Sequence, residues 1–156
     1  MAVTASNDQR TDERDHPYPN VRFLLEIEGL TTAGFSGCRL GASTTEVLAY
    51  RAGNEPPTPR KLPGTTEYEA ITLERGVGDG TTLADWRRLV ERGRIAEARR
   101  AVAVVILDER GEPGPRWEAE NAWPSRYVGP RLDALDGAVA IEALEITHEG
   151  SERVDP

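Results

Sequence analysis

The sequence predicts a mostly β domain, a β-sandwich or barrel-like fold with one flanking α-helix. Three observations carry this. Turn-forming residues are abundant, with 15 Gly and 11 Pro in 156 residues, which favours many short elements over long helices. Apolar residues alternate with others over several stretches, the period of a strand with one covered face. Only 82–92 repeats its apolar residues at helical spacing. Strands, one helix, then strands is the order of a sheet structure with a helix laid on it.

The elements follow in order. Residues 1–17 are polar, with Asp8, Arg10, Asp12, Glu13, Arg14 and Asp15 close together. They bury too little apolar surface to offset chain entropy, so a flexible arm is expected, ordered only by a neighbour. A single domain then runs over 18–154. Val21, Phe23, Leu25 and Ile27 alternate with Arg22, Leu24 and Glu26, a strand ended by Gly29. The chain turns or bulges around Gly34–Gly37, and Thr44–Tyr50 is the next strand. Gly53-Asn54-Glu55-Pro56-Pro57-Thr58-Pro59 cannot pair as a central strand, because proline lacks the N–H. It is a loop or the tip of a long hairpin, and the whole stretch from Ala49 to Gly64 reads as a surface projection. Thr65–Arg75 returns as a strand.

After the Gly76–Gly80 turn, Thr82 is placed to cap a helix, with Asp85 three residues on. Leu83, Trp86, Leu89 and Val90 share one face, and Gly93 is placed to end it. Val102–Leu107 is continuously apolar and β-branched, a strand covered on both faces. A turn at 108–114 leads to Trp117, Ala119, Asn121 and Trp123, which alternate with charged residues on one predicted face, ended by Pro124. Trp86, Trp117 and Trp123 are the expected core anchors. In Val139–Thr147 the alternation is imperfect, which predicts a bulge or burial from both sides.

Composition excludes several functions. With 27 acidic against 19 basic residues the net charge is −8, and a protein that grips nucleic acid needs a basic patch to displace counterions. The cluster Arg87, Arg88, Arg92 and Arg94 is interrupted by Asp85 and Glu91 and reads as a solvated helix face. One cysteine, Cys38, allows no intrachain disulfide and reads as a small apolar residue, which fits synthesis in the cytoplasm. No apolar stretch in 1–20 suggests a secretory signal, and the longest apolar run is too short to span a bilayer, so no membrane insertion is expected.

Chemistry finds little support. Two histidines, His16 and His148, and one cysteine cannot make a typical zinc site. Gly34-Phe35-Ser36-Gly37 is followed by cysteine and is no nucleophile elbow. The carboxylates offer no pair with a reason for divided pKa values. The one mimic of a small nucleotide-binding enzyme domain is the Gly76-Val77-Gly78-Asp79-Gly80 turn before a helix, with Asp108 ending the following strand. Thr81 stands where the third glycine belongs, and Glu74 and Arg75 occupy a strand that should be buried. No catalytic residue, cofactor or metal is assigned, and the chain is expected not to be an enzyme.

Ala33-Gly34-Phe35-Ser36, Tyr50-Arg51-Ala52-Gly53-Asn54, Arg60-Lys61-Leu62-Pro63-Gly64, Leu83-Ala84-Asp85-Trp86, Asn121-Ala122-Trp123-Pro124-Ser125 and His148-Glu149-Gly150 follow one another in an order and spacing that is specific as a set. In these the chain resembles the tail tube proteins of contractile phage tails and phage-tail-like contractile injection systems, over roughly Tyr18–Val154. The resemblance departs from the family at Gly37-Cys38-Arg39-Leu40 and in having Lys61 as its only lysine. It implies a self-assembling structural subunit, a homo-oligomer of six-fold rings stacked into a hollow tube. A sheath protein would surround the tube, baseplate and cap proteins would close it, and cargo or DNA would pass without specific binding. Made in the cytoplasm, the subunit would then reside in a phage tail or injection particle. The projection, with Asn54, Arg60, Lys61, Leu62, Pro63 and Gly64, and the arm 1–17 would then reach the next ring.

Overall fold

The computed structural model describes residues 22–28, 30–32, 35–54, 57–78 and 80–155. The arm 1–17, the expected start at Tyr18, and Val21, Gly29 and Gly34 lie outside them. The described elements are β1 (Phe23–Ile27), β2 (Leu30–Thr32), β3 (Phe35–Arg39), β4 (Ser43–Tyr50), β5 (Arg60–Tyr68), β6 (Ile71–Gly76), α1 (Thr82–Glu91), α2 (Ile95–Ala98), β7 (Arg100–Leu107), β8 (Pro113–Val128), β9 (Ile141–Thr147) and β10 (Gly150–Val154). Eight strands form one path, β2-β1-β7-β8-β9-β6-β3 with β10 also on β8, while β4 and β5 pair only with each other. The path does not close into a barrel, and a short second helix accompanies the expected one.

The long β8 joins two halves. Its first part pairs with β7 and β10, its last part with β9. Bulges make this possible, because an extra residue bends a strand and sharpens its twist. Glu120 and Asn121 stand against Ala101, between the pairs Val102–Ala119 and Arg100–Ala122, and Asn121 takes a positive φ of 50°. A second extra residue, Ser125, falls between the pairs Pro124–Ile146 and Arg126–Glu145. Pro124 therefore does not end the strand as expected. It sits beside a bulge, where the missing N–H is tolerated.

The core lies between the halves. Leu25, Ile27, Val102, Val104 and Ala119 contribute from one, Ile71, Leu73, Leu144 and Ile146 from the other, and Leu83 and Trp86 from α1. Each such large side chain, fully buried, stabilises the fold by about 1.5–3 kcal/mol. On β7, Val102, Ala103, Val104 and Val105 are all buried, so both faces are covered within the chain. β9 pairs with β6 without a register shift, and the expected irregularity lies in its partner β8 instead.

The N-cap position of α1 is Thr81 rather than Thr82, and neither hydroxyl caps a backbone N–H of the first turn. The Thr81 hydroxyl donates to Asp85 at 3.1 Å, and the backbone N–H of Asp85 to the Thr81 carbonyl at 2.8 Å. At the other end Gly93, at φ +78°, donates to the Val90 carbonyl, and Arg94 donates to that of Leu89. This pair of bonds is a Schellman motif, and the left-handed residue suits glycine. Trp86 is 2% exposed and its indole N–H donates to the Ala98 carbonyl at 2.6 Å, tying α1 to α2. Trp117 and Trp123 are only half-buried. They also do not share a face, because the extra residue at Asn121 reverses the alternation between them. Trp123 packs on the core, while the Arg153 guanidinium lies 5.6 Å from the ring centre of Trp117.

All described pairings are antiparallel. β6 and β7 flank the Gly76–Gly80 turn and the helices, yet they are not neighbours in the sheet. The parallel βαβ unit that a dinucleotide site needs is therefore absent among the described residues. No described helix is long and apolar enough to cross a membrane.

Candidate functional site

The β4–β5 hairpin leaves the body as a separate two-stranded ribbon. Every residue of β4 is exposed, and so is β5 apart from Gly64 and Tyr68, which are half-buried. Arg60–Gly64, expected in a loop, are strand residues: Arg60 faces Tyr50, Lys61 faces Ala49, Leu62 faces Leu48 and Pro63 faces Val47. The loop reading failed because Pro63 lies next to a bulge. Gly64 and Thr65 together oppose Glu46. A Cβ on Gly64 would meet the Glu46 Cβ at 3.1 Å, so glycine permits the close approach there. Thr45 and Thr66 link the strands through their hydroxyls at 2.8 Å. Asn54 lies in the turn at the tip.

Polar contacts fix the base of the ribbon. The Glu69 N–H donates to the Ala42 carbonyl, and the Ala42 N–H donates to the Glu69 carboxylate, both at 2.9 Å. Gly41 makes room for this, at φ +79°, where a Cβ would come within 2.9 Å of the Glu69 Cβ. His148, 6% exposed, places Nε2 at 3.1 Å from the Glu69 carbonyl. A carbonyl can only accept, so Nε2 carries the proton and the buried Nδ1 is left bare. The Tyr68 ring lies 5.6 Å from the imidazole, and a Cβ on Gly150 would come within 3.8 Å of it. His148 is thus the clamp between hairpin and body. Its place in the sequence, one residue past a strand, gave no sign of this.

The candidate chemical groups among the described residues are tied up or unreactive. His148 is committed to the clamp. Burial pushes the Cys38 thiol up to about 11, which keeps it protonated and unreactive at neutral pH. No group of three or more metal-binding side chains occurs among the described residues. A groove of about 540 Å³ lies against the outer side of β1, β7, β8 and β10, edged by Glu26, Glu118, Glu120 and Glu152. Arg116 binds Glu26 at 2.9 Å and Glu118 at 3.0 Å there. It is an ion-paired surface.

What remains is surface. Exposed large apolar side chains fall into two groups among the described residues. Val47, Leu48, Tyr50 and Leu62 belong to the hairpin; the others lie in 127–141, with Val77 beside them. Such patches mark places where proteins meet partners.

The family model described as T4-like virus tail tube protein gp19 matches residues 19–152. A search of curated proteins finds no match. A chain in the cryo-EM structure of the anti-feeding prophage baseplate, 6-fold symmetrised, is 25% identical, with 90% of this chain and 97% of that one covered and a TM-score of 0.72. A chain from the anti-feeding prophage tube terminating cap is 21% identical over the full length of both, with a TM-score of 0.76. One from the sheath-tube complex of an extracellular contractile injection system, PVC, in its extended state is 20% identical. It covers 98% of this chain and all of that one, at a TM-score of 0.76. The last two likenesses establish a common fold.

Proposed function

The chain belongs to the T4-like virus tail tube protein gp19 family and is a structural subunit of a tail tube; we propose that it builds this tube as stacked six-fold rings, each reaching the next through the β4–β5 hairpin. The family match over residues 19–152 carries the reading. Relatives of the same fold occur in baseplate, cap and sheath-tube assemblies. The partners proposed for this chain are accordingly further copies of itself, a surrounding sheath, and baseplate and cap proteins. The role is structural and non-catalytic. The acidic balance suits a conduit that passes DNA or acidic cargo without holding it, through like-charge repulsion.

The hairpin suits the stacking contact in two ways. Its strands pair only with each other and are almost wholly exposed, and β5 carries Arg60 on one face and Lys61 on the other in a chain of net charge −8. A neighbouring acidic ring attracts that pair. Exposed ion pairs contribute only about 0.2–1 kcal/mol each, yet repeated around a ring they act together. Changing both Arg60→Glu and Lys61→Glu is expected to leave the circular dichroism spectrum intact and to stop tube growth in negative-stain microscopy, leaving single rings. Normal-length tubes from this variant would remove the hairpin charges from the stacking contact.

A further inference from the structure

We infer that the surface receiving the hairpin is the apolar ledge at 127–141 on a second copy of this chain. The inference rests on the hairpin being a contact between copies, and names the other half of that contact.

The ledge is built at one end of the β6–β9 pair. Gly76 pairs with Ile141, and the Val77 N–H donates to the Ala140 carbonyl at 3.0 Å. From this end the 129–140 segment runs outward, with Leu132 79% and Leu135 98% exposed and Val139 beside them at 73%. Side chains of that kind in water are disfavoured unless something covers them. The segment is held in shape rather than loose. Asp133 accepts from the Leu135 N–H at 3.0 Å, and Asp136 from the Ala138 N–H at 3.2 Å.

The hairpin enters at the opposite end of the same pair. Its strand β5 leads through Glu69 into Ile71, which pairs with Ile146, and the His148 clamp closes on Glu69 one residue beyond β9. β9 is seven residues long, and at about 3.3 Å per residue the two ends lie roughly 20 Å apart. The root of the hairpin and the ledge therefore lie at opposite ends of one strand direction, and one chain carries two different apolar surfaces. A head-to-tail contact needs two such unlike surfaces, and when they face opposite ways the copies stack into an open-ended assembly. Charge agrees: Arg60 stands on the same hairpin face as Leu62 and Leu48, and the ledge, with Asp133 and Asp136 against Arg131, is net acidic. The acidic groove by β10 offers charge but has ion pairs of its own, and it lies at the outer side of the other half.

The test places a photo-crosslinking phenylalanine analogue at Leu48, mixes heavy-isotope and unlabelled full-length subunits, and maps crosslinks in the assembled material by mass spectrometry. A heavy-to-light link from Leu48 into 127–141 is expected. In parallel, Leu135→Asp should weaken self-association in sedimentation at least tenfold with the circular dichroism spectrum unchanged. Combining it with Leu62→Asp should then weaken association little further. Links from Leu48 into another part of a second copy would overturn the ledge and leave the hairpin contact standing. Links confined to its own chain, or a wild-type chain that stays monomeric, would overturn both. Links from a reciprocal probe at Leu135 to a different protein in purified particles would assign the ledge to that protein and likewise sink the inference.

Discussion

The β6–β9 pair and the β4–β5 pair are both antiparallel ladders of similar length, and they live in opposite surroundings. In the first, Ile71 faces Ile146 and Leu73 faces Leu144, and all four are at most 2% exposed. In the second, Leu48 faces Leu62 and Tyr50 faces Arg60, and none of them is buried. A lone two-stranded hairpin is marginally stable in water, because backbone hydrogen bonds without a covered face hardly offset chain entropy. The difference teaches where each ladder gets its stability. The core pair is held by its own chain. The hairpin is joined to the body at its base, through Glu69 and His148, and its apolar side chains are exposed, the surface proposed above to meet another copy.

The core side of the contrast is tested most severely at Trp86. It fills the space between α1 and the sheets and also holds α2 through the indole N–H. Trp86→Ala leaves a cavity and an unpaired Ala98 carbonyl, and is expected to cost about 3–5 kcal/mol in urea denaturation of the subunit. A loss below about 1 kcal/mol would place the structural weight elsewhere, since most exposed substitutions cost no more than that.

Legibility in the sequence followed the same division. Where one face is buried the period gave the element away: Phe23, Leu25 and Ile27 marked β1, and Leu83, Trp86, Leu89 and Val90 marked α1, with Gly93 at its end. The family motifs likewise pointed to the tube. What escaped were the places where no face is buried or where one residue is inserted. Arg60–Gly64 shows no alternation because neither side of the ribbon is covered, and Pro63 argued against pairing. The bulge at Asn121 rests on a positive φ that asparagine accepts but does not announce. That single residue turned the shared face of Trp117 and Trp123 into two faces. The His148 clamp was hidden because its partner is a backbone carbonyl 79 positions away.

Acid sharpens the comparison from the core side. At the ledge end β6, β8 and β9 are tied by Arg75 and Tyr127, which donate to the Glu142 carboxylate at 2.6 and 2.7 Å. Burial acts to raise Glu142, but those two bonds and the Arg75 charge outweigh it and hold the carboxyl below its ordinary value of 4.5. A carboxyl lowered by folding adds stability above its unfolded pKa, and that stability is lost as pH falls through the folded value. The bond to Glu142, with burial behind it, raises Tyr127 above 10.0, so its contribution is present below that value and lost as pH rises through the folded one. The melting-temperature difference between wild type and Glu142→Gln should accordingly be widest near neutrality and shrink progressively as pH falls below the ordinary 4.5. A difference that stays constant from neutral pH into acid would mean that the ionised carboxylate is not what ties these strands.

The smallest expected effect cuts deepest into the comparison. Leu62 is 45% exposed, opposite Leu48 on the ribbon, and touches no core residue by register. Leu62→Ser should change the stability of the dilute, unassembled subunit by no more than about 0.5 kcal/mol, as surface substitutions do. Leu73→Ala, a comparable truncation inside β6, should cost about 2–5 kcal/mol in the same experiment. Both variants expose less apolar surface in the unfolded chain, so that shared effect cannot create the gap between them. If Leu62→Ser instead cost more than about 2 kcal/mol, the ribbon would be folding back onto its own body in solution. Its apolar face would then already be covered, and there would be nothing left on it to offer a neighbouring ring. A near-zero cost in the dilute subunit, alongside loss of stability in the assembled tube, is the pattern that separates a ladder held by its own chain from one held by the next.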